Sequence, residues 1–272
     1  MAAVLGKASA PVREWTGEIT ANRTIMGDSY LVTFTMPEGL AQHIEPGHFV
    51  NVLPSGAGSF DPLLRRPYSI YGIDAAANTM TLLIRPYGRG GQWIVDQQPG
   101  QSLNVLGILG NHYEVAPRSS HLLMVAGGVG AAPLKMLSEQ AVAQGKSVVY
   151  LLGARREDQL LDASELPHAV EYIVATEDGS AGHKGFVTEL AANYLTWADQ
   201  IFTCGPTPMM AALRNVILQH RFGKGPQVQI SVERTMACGV GACLGCVVET
   251  KKGMKASCVD GPVFDMESVV WG

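Results

Sequence analysis

The chain has 272 residues, 47% of them hydrophobic and 16% charged, with 31 glycines and a formal net charge of -4. This length and composition predict a globular protein with one large domain or a few small ones. No Lys/Arg cluster stands out, so we expect neither nucleic acid nor an anionic membrane as a partner. The apolar run after Met1 is too short for a signal peptide and no later run approaches a membrane span, which predicts a cytoplasmic protein.

Residues 1–117 alternate short apolar runs with turn-forming Gly, Pro and Asn. Short strands with regular turns and almost no helical periodicity predict an antiparallel barrel or sandwich. The strand-like runs are YLVTFTM, HFVNVL, YSIYGI, TMTLLIRP and SLNVLGIL.

Residues 118–227 follow a different pattern. The apolar runs HLLMVAGG, SVVYLLGA, EYIVAT and QIFTCG alternate with stretches of helical spacing. Strands that are apolar on both faces and alternate with helices predict a parallel α/β sheet. Residues 228–272 are too few to bury a core alone, so we expect a metal centre or docking onto the neighbouring domains to stabilise them.

The last segment holds four cysteines, Cys238, Cys243, Cys246 and Cys258, separated by 4, 2 and 11 residues. In a reducing compartment, clustered cysteines are more often metal ligands than disulfides. A C-x4-C-x2-C run followed by a distant Cys is the spacing of plant-type [2Fe–2S] proteins. A structural zinc site remains an alternative, although zinc sites more often show two C-x2-C pairs.

Two glycine-containing turns, VAGGVGAAPL and FTCGPTPMM, each follow a predicted strand and open a predicted helix. Glycines there let a phosphate approach bare backbone N–H groups at the start of a helix. Either turn could also be purely structural, and Cys204 could be a small packed residue as readily as a neighbour of the hydride-transfer site. The candidate nucleotide-binding residues are Gly127, Gly128, Gly130, Cys204, Gly205 and Pro206.

The run LLRRPYSIYG is the most informative part of the first segment. Arg66 could bind a pyrophosphate with both guanidinium N–H groups, and Ser69 could add a hydroxyl contact. Tyr68 offers an aromatic face to a ring system. From composition alone, an edge strand with solvated arginines is the favoured interpretation.

The three motifs R-P-x-S, G-G-V-G-x-x-P-L and C-G-P, in this order, resemble the ferredoxin–NADP reductase superfamily. That resemblance implies an N-terminal β-barrel that holds FAD and a second domain that holds a nicotinamide nucleotide. It also implies that the run GILGNHY packs near the flavin or its phosphates. The FAD-binding residues it implies are Arg66, Pro67, Tyr68, Ser69, Leu83, Ile84, Arg85, Gly90 and Gly91.

The runs ERTMACGVGACLGCVVE and SCVDGPVF resemble the C-terminal domain of the electron-transfer subunits of type B dihydroorotate dehydrogenase, and the upstream motifs fit that family too. The resemblance implies an oxidoreductase subunit of pyrimidine (UMP) biosynthesis. A catalytic partner subunit would oxidise dihydroorotate on FMN, and this chain would pass the electrons through [2Fe–2S] and FAD to NAD+. It also implies a heterotetramer with two copies of each subunit. The expected domains are an FAD-binding β-barrel in 1–117, an NAD-binding α/β domain in 118–227 and a [2Fe–2S] domain in 228–272.

Other functions remain open at this point. Subunits of a bifurcating ferredoxin:NADP oxidoreductase and of a sulfhydrogenase share the same plan, and a zinc-stapled module that binds nucleotides without redox turnover is a third possibility. The nucleotide preference is also open from the residues alone. Arg155 and Arg156 could favour a 2′-phosphate, whereas Glu177 and Asp178 could bond a ribose hydroxyl and repel a phosphate. The family resemblance implies NAD.

Overall fold

A computed structural model describes residues 12–56, 58–220 and 226–271. The outer ends of the expected first and third domains, at residues 1 and 272, lie outside the described residues, as do residues 221–225 near the second expected boundary. Within the described ranges, none of the helices is both long and apolar enough to cross a membrane.

The first part of the chain folds into a closed antiparallel barrel with the strand order β1-β2-β5-β4-β3-β6. Its inward side chains, such as Phe34, Ile70 and Leu82, are fully buried. Each such side chain contributes about 1.5–3 kcal/mol through burial. The barrel expected from the sequence is therefore confirmed. Its elements are β1 (Arg13–Thr24), β2 (Tyr30–Thr35), β3 (Phe49–Leu53), β4 (Arg66–Asp74), β5 (Thr79–Ile84), α1 (Gly88–Val95) and β6 (Ser102–Leu109).

The middle of the chain forms a parallel sheet flanked by helices, which confirms the α/β class. Its strands lie in the order β10-β9-β8-β7-β11-β12. All of them are parallel, but the side on which the chain adds its next strand changes between β7 and β11. Ligands of open α/β sheets bind at such a switch point, outside the carboxyl ends of the strands. The elements are β7 (His121–Gly127), α2 (Ala131–Ala143), β8 (Ser147–Ala154), β9 (Val170–Thr176), β10 (His183–Lys184), α3 (Val187–Ala191), β11 (Gln200–Cys204), α4 (Thr207–His220) and β12 (Gln227–Ser231).

The C-terminal segment docks onto both preceding parts of the molecule. After the hairpin of β13 (Val247–Thr250) and β14 (Gly253–Ala256) come α5 (Ser257–Asp260) and β15 (Val263–Asp265). The last strand pairs antiparallel with β12 and extends the parallel sheet. The segment thus gains backbone hydrogen bonds and apolar contacts that so few residues could not supply alone.

Polar contacts also fix the barrel against the α/β sheet. The Tyr71 hydroxyl donates to Glu165 Oε2 at 2.9 Å, and Arg23 pairs with the same carboxylate. The Lys135 ammonium, on α2, stands 4.8 Å from the centre of the Tyr71 ring. These contacts hold the carboxyl edge of the sheet beside the outer face of the barrel.

Candidate functional site

The four C-terminal cysteines meet as two pairs of thiols. The Cys243 side chain interacts with Cys238, and the Cys246 side chain interacts with Cys258. All five cysteines of the chain are free, so the cluster is not a disulfide framework. Across residues 12–56, 58–220 and 226–271, no three Cys, His, Asp or Glu side chains converge on a point that could hold a single metal ion. Two pairs suit a two-iron cluster, in which each iron takes two protein ligands, better than one tetrahedral ion.

Backbone N–H groups of the cysteine loop point at the sulfur atoms. Val240 N and Cys243 N donate to Cys238 Sγ at 3.5 and 3.4 Å, and Gly241 N donates to Cys258 Sγ at 3.2 Å. Gly241 has a φ of 78°, a conformation that glycine adopts without strain. The loop therefore presents donors to sulfur, as a site for negatively charged thiolates requires.

The ionisation of the cysteines reflects these contacts. Burial opposes ionisation of Cys238, but the N–H groups of Val240 and Cys243 and the Cys243 side chain outweigh it and lower its pKa to about 6. Burial and the neighbouring Cys246 side chain raise the pKa of Cys258 to about 12. Metal ligation requires thiolates, so cluster binding must displace the Cys258 proton. With paired thiols and aimed N–H donors, the residues present fit a [2Fe–2S] cluster.

A single barrel strand links the cysteines to the predicted flavin strand. Phe49, on β3, packs in one apolar group with Cys246 and Cys258. The same residue pairs in register with Ser69 on β4. No motif of the sequence indicates Phe49, because only the folded chain brings β3 and the cysteine loop together.

The N-terminus of α1 and Arg66 form a cradle on the barrel. A Cβ at Gly90 would lie 3.0 Å from Arg66 Nε and Nη2, so the guanidinium rests against bare backbone. Gly91 is equally tight, because its Cβ would stand 3.0 Å from Pro86 Cα. Converging N–H groups at a helix start and an arginine fork are the donors that a pyrophosphate needs. These residues fit the diphosphate of FAD.

The other predicted flavin residues lie on β4, on β5 and directly after β5. Tyr68 and Ser69 lie on β4 beside Arg66 and are half-buried, and desolvation raises the pKa of Tyr68 to about 12. Leu83 and Ile84 on β5 have their side chains buried, so only their backbone could meet a ligand. Pro67 lies on β4, and Arg85 follows β5 and pairs with Asp28 at 3.0 Å.

The two glycine turns of the sheet touch each other at the switch point. β7 and β11 are adjacent, and Cys204 pairs with Ala126. A Cβ at Gly130 would overlap the Cys204 carbonyl, and one at Gly205 would come 3.0 Å from Gly127 N. The predicted nucleotide residues of both turns are thereby brought together, at the place where α/β sheets bind ligands. Gly128 lies in the first turn and Pro206 opens the second helix.

Cys204 is a buried thiol at this junction. Its side chain is 2% exposed, and burial raises its pKa far above the usual range. The negative charge of Glu233 raises this pKa further, by a smaller amount. A hydrogen bond with Ser231 acts in the opposite direction. A protonated, packed thiol is not a nucleophile. Its place at the end of β11 makes it part of the floor of the site.

Charged side chains crowd the carboxyl ends of β8 and β9. Arg156 makes two hydrogen bonds to Asp158, Nε to Oδ1 at 3.1 Å and Nη2 to Oδ2 at 2.8 Å. The Asp178 carboxylate accepts from the Ser180 hydroxyl and backbone N–H, which lowers its pKa. Ser180 Oγ accepts in turn from Glu157 N at 2.8 Å, which joins the two loops. The charged groups of this edge are Arg155, Arg156, Lys184, Glu157, Asp158, Glu177 and Asp178.

The run GILGNHY contacts the C-terminal segment. A Cβ at Gly110 would lie 2.7 Å from the Gly261 carbonyl. The Asn111 amide donates to the Val263 carbonyl at 2.8 Å and accepts from the Val263 N–H at 2.9 Å. The Asn111 side chain thus bonds Val263 as a paired backbone would, and it anchors β15. The expected position of this run near the flavin or its phosphates stays a prediction.

Two family models match this sequence. Residues 233–270 match the iron-sulfur cluster binding domain of dihydroorotate dehydrogenase B. Residues 124–215 match the oxidoreductase NAD-binding domain. The first match covers the four paired cysteines, and the second covers the glycine turns at the switch point.

Curated relatives match over nearly their whole length. A protein of Aquifex aeolicus, named as a homolog of the electron transfer subunit of dihydroorotate dehydrogenase B (NAD(+)), is 35% identical over 264 residues, covering 94% of this chain and 98% of the relative. The subunit of that name from Bacillus caldolyticus is 38% identical over 258 residues, covering 93% and 96%.

Solved structures with the same fold include reductases with other partners. An NADH-dependent reduced ferredoxin-NADP oxidoreductase matches with a TM-score of 0.81 and 27% identity, covering 94% of this chain and 90% of that one. A ferredoxin NADP+ reductase from Neisseria gonorrhoeae, solved with bound FAD and NADP, matches with a TM-score of 0.65 and 16% identity, covering 80% and 97%, which shows the fold alone. The identity and coverage of the curated relatives decide the family. This chain belongs to the dihydroorotate dehydrogenase B electron transfer subunits.

Proposed function

We propose that this chain is the electron-transfer subunit of an NAD-dependent dihydroorotate dehydrogenase, an oxidoreductase of pyrimidine biosynthesis. It receives electrons from a catalytic partner subunit that oxidises dihydroorotate on FMN, and passes them through [2Fe–2S] and FAD to NAD+. Bound flavin supplies the conversion between the single electrons of an iron–sulfur cluster and the hydride of a nicotinamide.

The observation that supports this most is the position of Phe49. It packs on Cys246 and Cys258 and pairs with Ser69 on β4. The cysteine loop and the R-P-x-S strand are therefore neighbours across one barrel strand. Electron transfer between two centres needs such proximity, whereas a zinc staple or a nucleotide sensor has no use for it.

Each part of the chain has its own task in this proposal. Cys238, Cys243, Cys246 and Cys258 hold the cluster, and the loop N–H groups stabilise its negative charge. Arg66 and the start of α1 bind the diphosphate of FAD, with Pro67, Tyr68, Ser69, Leu83, Ile84, Arg85, Gly90 and Gly91 around the cofactor. Gly127, Gly128, Gly130, Gly205 and Pro206 hold the nicotinamide nucleotide, with Cys204 beneath the site of hydride transfer.

The charges at the ends of β8 and β9 support NAD as the nucleotide. Arg156 is already paired with Asp158. Glu177 and Asp178 lie on the neighbouring loop, and their carboxylates would repel a 2′-phosphate. A free 2′-hydroxyl, as in NAD, can instead donate to a carboxylate.

The family's name, electron transfer subunit, supports a catalytic partner subunit. We propose a heterotetramer with two copies of each subunit in the cytoplasm, where reducing conditions preserve free cysteines as cluster ligands. We further propose three functional units, 1–117 for FAD, 118–227 for NAD and 228–272 for the cluster. The last depends on the second for its strand pairing, because β12, with which the third unit begins, pairs in parallel with β11 of the second.

A second candidate is the corresponding subunit of a ferredoxin:NADP oxidoreductase or a sulfhydrogenase. The likeness to the NADH-dependent reduced ferredoxin-NADP oxidoreductase, at 27% identity, favours this candidate over a zinc-stapled module without redox turnover. It would use the same three sites with a different partner. Identification of the protein that co-purifies with this chain separates the two.

The deciding experiment is dihydroorotate-dependent reduction of NAD+, with and without the co-purified catalytic subunit. We expect NADH only when both subunits are present. A visible spectrum of the purified chain should show overlapping flavin and [2Fe–2S] bands. A colourless protein with stoichiometric zinc, or a complex that reduces no NAD+ with dihydroorotate, would refute the proposal.

A further inference from the structure

Asn51 is a buried amide without a hydrogen-bond partner. Its side chain is 0% exposed, and neither Nδ2 nor Oδ1 has a partner among the described residues. A buried polar group left unpaired costs about 1–3 kcal/mol. A polar residue in the middle of a barrel strand therefore indicates a partner outside the polypeptide.

Strand alternation fixes the side on which that partner lies. Val50 and Val52 point into the barrel core. Phe49 and Asn51 consequently share the opposite, outer face of β3. On this face Phe49 packs against Cys246 and Cys258.

The amide reaches the cysteine loop itself. A Cβ at Gly239 would overlap Asn51 Nδ2, so the amide nitrogen rests on the backbone next to Cys238. Gly239 has a φ of 75°, which favours glycine independently of the close approach. The side chain thus occupies the seam between the barrel and the proposed cluster.

Other buried polar atoms without partners are less isolated. Asn22 Nδ2 donates to two carbonyls at 2.8 Å, and Asn104 Nδ2 donates to Glu14 Oε1 at 2.7 Å. In each of these two side chains, only the Oδ1 atom has no hydrogen-bond partner. Within the described part of the chain, Asn51 is the one buried side-chain amide with both atoms unpaired.

We propose that Asn51 donates a hydrogen bond from Nδ2 to a sulfur atom of the [2Fe–2S] cluster. The inference rests on the proposed function, since it requires that the four cysteines hold the cluster. An N–H donor to sulfur stabilises the more negative, reduced state and so raises the reduction potential. Asn51 is thus a tuning residue that the barrel contributes to a site otherwise built by the C-terminal segment.

The test is an EPR-monitored redox titration of the complex with Asn51→Leu, which preserves the approximate shape and removes the donor. We expect the cluster to become harder to reduce, by about tenfold in the equilibrium constant, or ~59 mV for one electron. The potential of the FAD should stay unchanged. Asn104→Leu is the matched control and should leave the cluster potential where it is.

A second measurement does not depend on how a variant folds. Residues 233–258 contain no asparagine. Asn111 contacts the C-terminal segment, but its amide N–H groups donate to the Asp260 and Val263 carbonyls, so neither is left for a sulfur atom. In the unaltered complex with ¹⁵N-labelled asparagine, pulsed EPR of the reduced cluster should therefore detect a nitrogen coupling from Asn51.

An unchanged cluster potential in Asn51→Leu at full cluster occupancy would overturn the inference. So would a shift of the FAD potential alone, which would assign the amide to the flavin. Absence of the ¹⁵N coupling would also overturn it. The amide would then bond a buried water instead of a cluster sulfur atom. Failure of the proposed function is distinguishable from these results, because the spectrum of the unaltered protein would then lack the flavin and iron–sulfur bands.

Discussion

The guanidinium of Arg66 rests against the bare backbone of Gly90, where a Cβ would stand 3.0 Å from its nitrogen atoms. This contact predicts that Gly90→Ala weakens FAD binding by displacing the arginine fork from the start of α1. We expect the dissociation constant to rise about tenfold, or ~1.4 kcal/mol. Titration of the apoprotein with FAD, followed by flavin fluorescence, measures it.

The matched control for this prediction is Gly56→Ala. A Cβ there would meet nothing within 4 Å. FAD affinity should not change in this variant. Equal losses in Gly90→Ala and Gly56→Ala would mean that the cradle is not the diphosphate site.

Cys238→Ser should remove the iron–sulfur absorbance while FAD remains bound. The reason is that the cysteine loop and the Arg66 cradle are built by different elements, which meet at β3. Iron and flavin content per chain, with the visible spectrum, measures the outcome. Cys204→Ser, which changes a thiol outside the cluster, should keep both iron and flavin. If Cys238→Ser loses both cofactors, the cysteine loop also stabilises the fold of the barrel, in addition to binding the cluster.

The sequence was sufficient to predict the fold class, because local patterns determine it. Short strands with regular turns occur in the barrel, and apolar runs between helices occur in the parallel sheet. The cysteine spacing likewise predicted a site that lies mostly within nine residues of chain. The family resemblance, carried by motifs in a fixed order, added the cofactors and the partner.

Contacts between distant segments could not be predicted in this way. Asn51 precedes Gly239 by about two thirds of the length of the chain, and nothing in HFVNVL shows that its amide will face the cysteine loop. The contact between the run GILGNHY and the C-terminal segment could not be predicted for the same reason. The Asn111 side chain finds its partner in Val263, 152 residues later in the chain, on the strand that pairs with β12.

Cys204 should alkylate much more slowly than Cys243 in the folded protein. Burial raises its pKa, so it stays protonated at pH values where an ordinary cysteine ionises. The raised pKa also means that its contribution to stability is complete below the unfolded pKa, about 8.5, and declines as pH rises above it. Iodoacetamide labelling at pH 8, read by mass spectrometry after cluster removal, should modify exposed Cys243 well before Cys204. Fast labelling of Cys204 would contradict a buried, unreactive thiol at the end of β11.

Asp158→Asn should relax the preference for NAD+ over NADP+. The substitution frees Arg156, whose guanidinium can then bind a 2′-phosphate. Both side chains are more than half exposed, at 60% and 54%, so solvent screens the pair. We therefore expect a modest effect: NADP+ affinity should improve about fivefold, and NAD+ affinity should stay within about twofold. Binding of 2′,5′-ADP and of AMP by calorimetry isolates this contact from catalysis.

Two further variants decide whether the effect belongs to the Arg156–Asp158 pair. Asp162→Asn removes the same charge from the same domain, where the carboxylate bonds only Ser164 in the described structure, and should leave both affinities unchanged. Arg156→Ala in the Asp158→Asn background should abolish the gain for 2′,5′-ADP. A gain that persists without Arg156 would come from general loss of negative charge at this edge. Glu177 and Asp178, on the neighbouring loop, would then determine the preference without help from the pair.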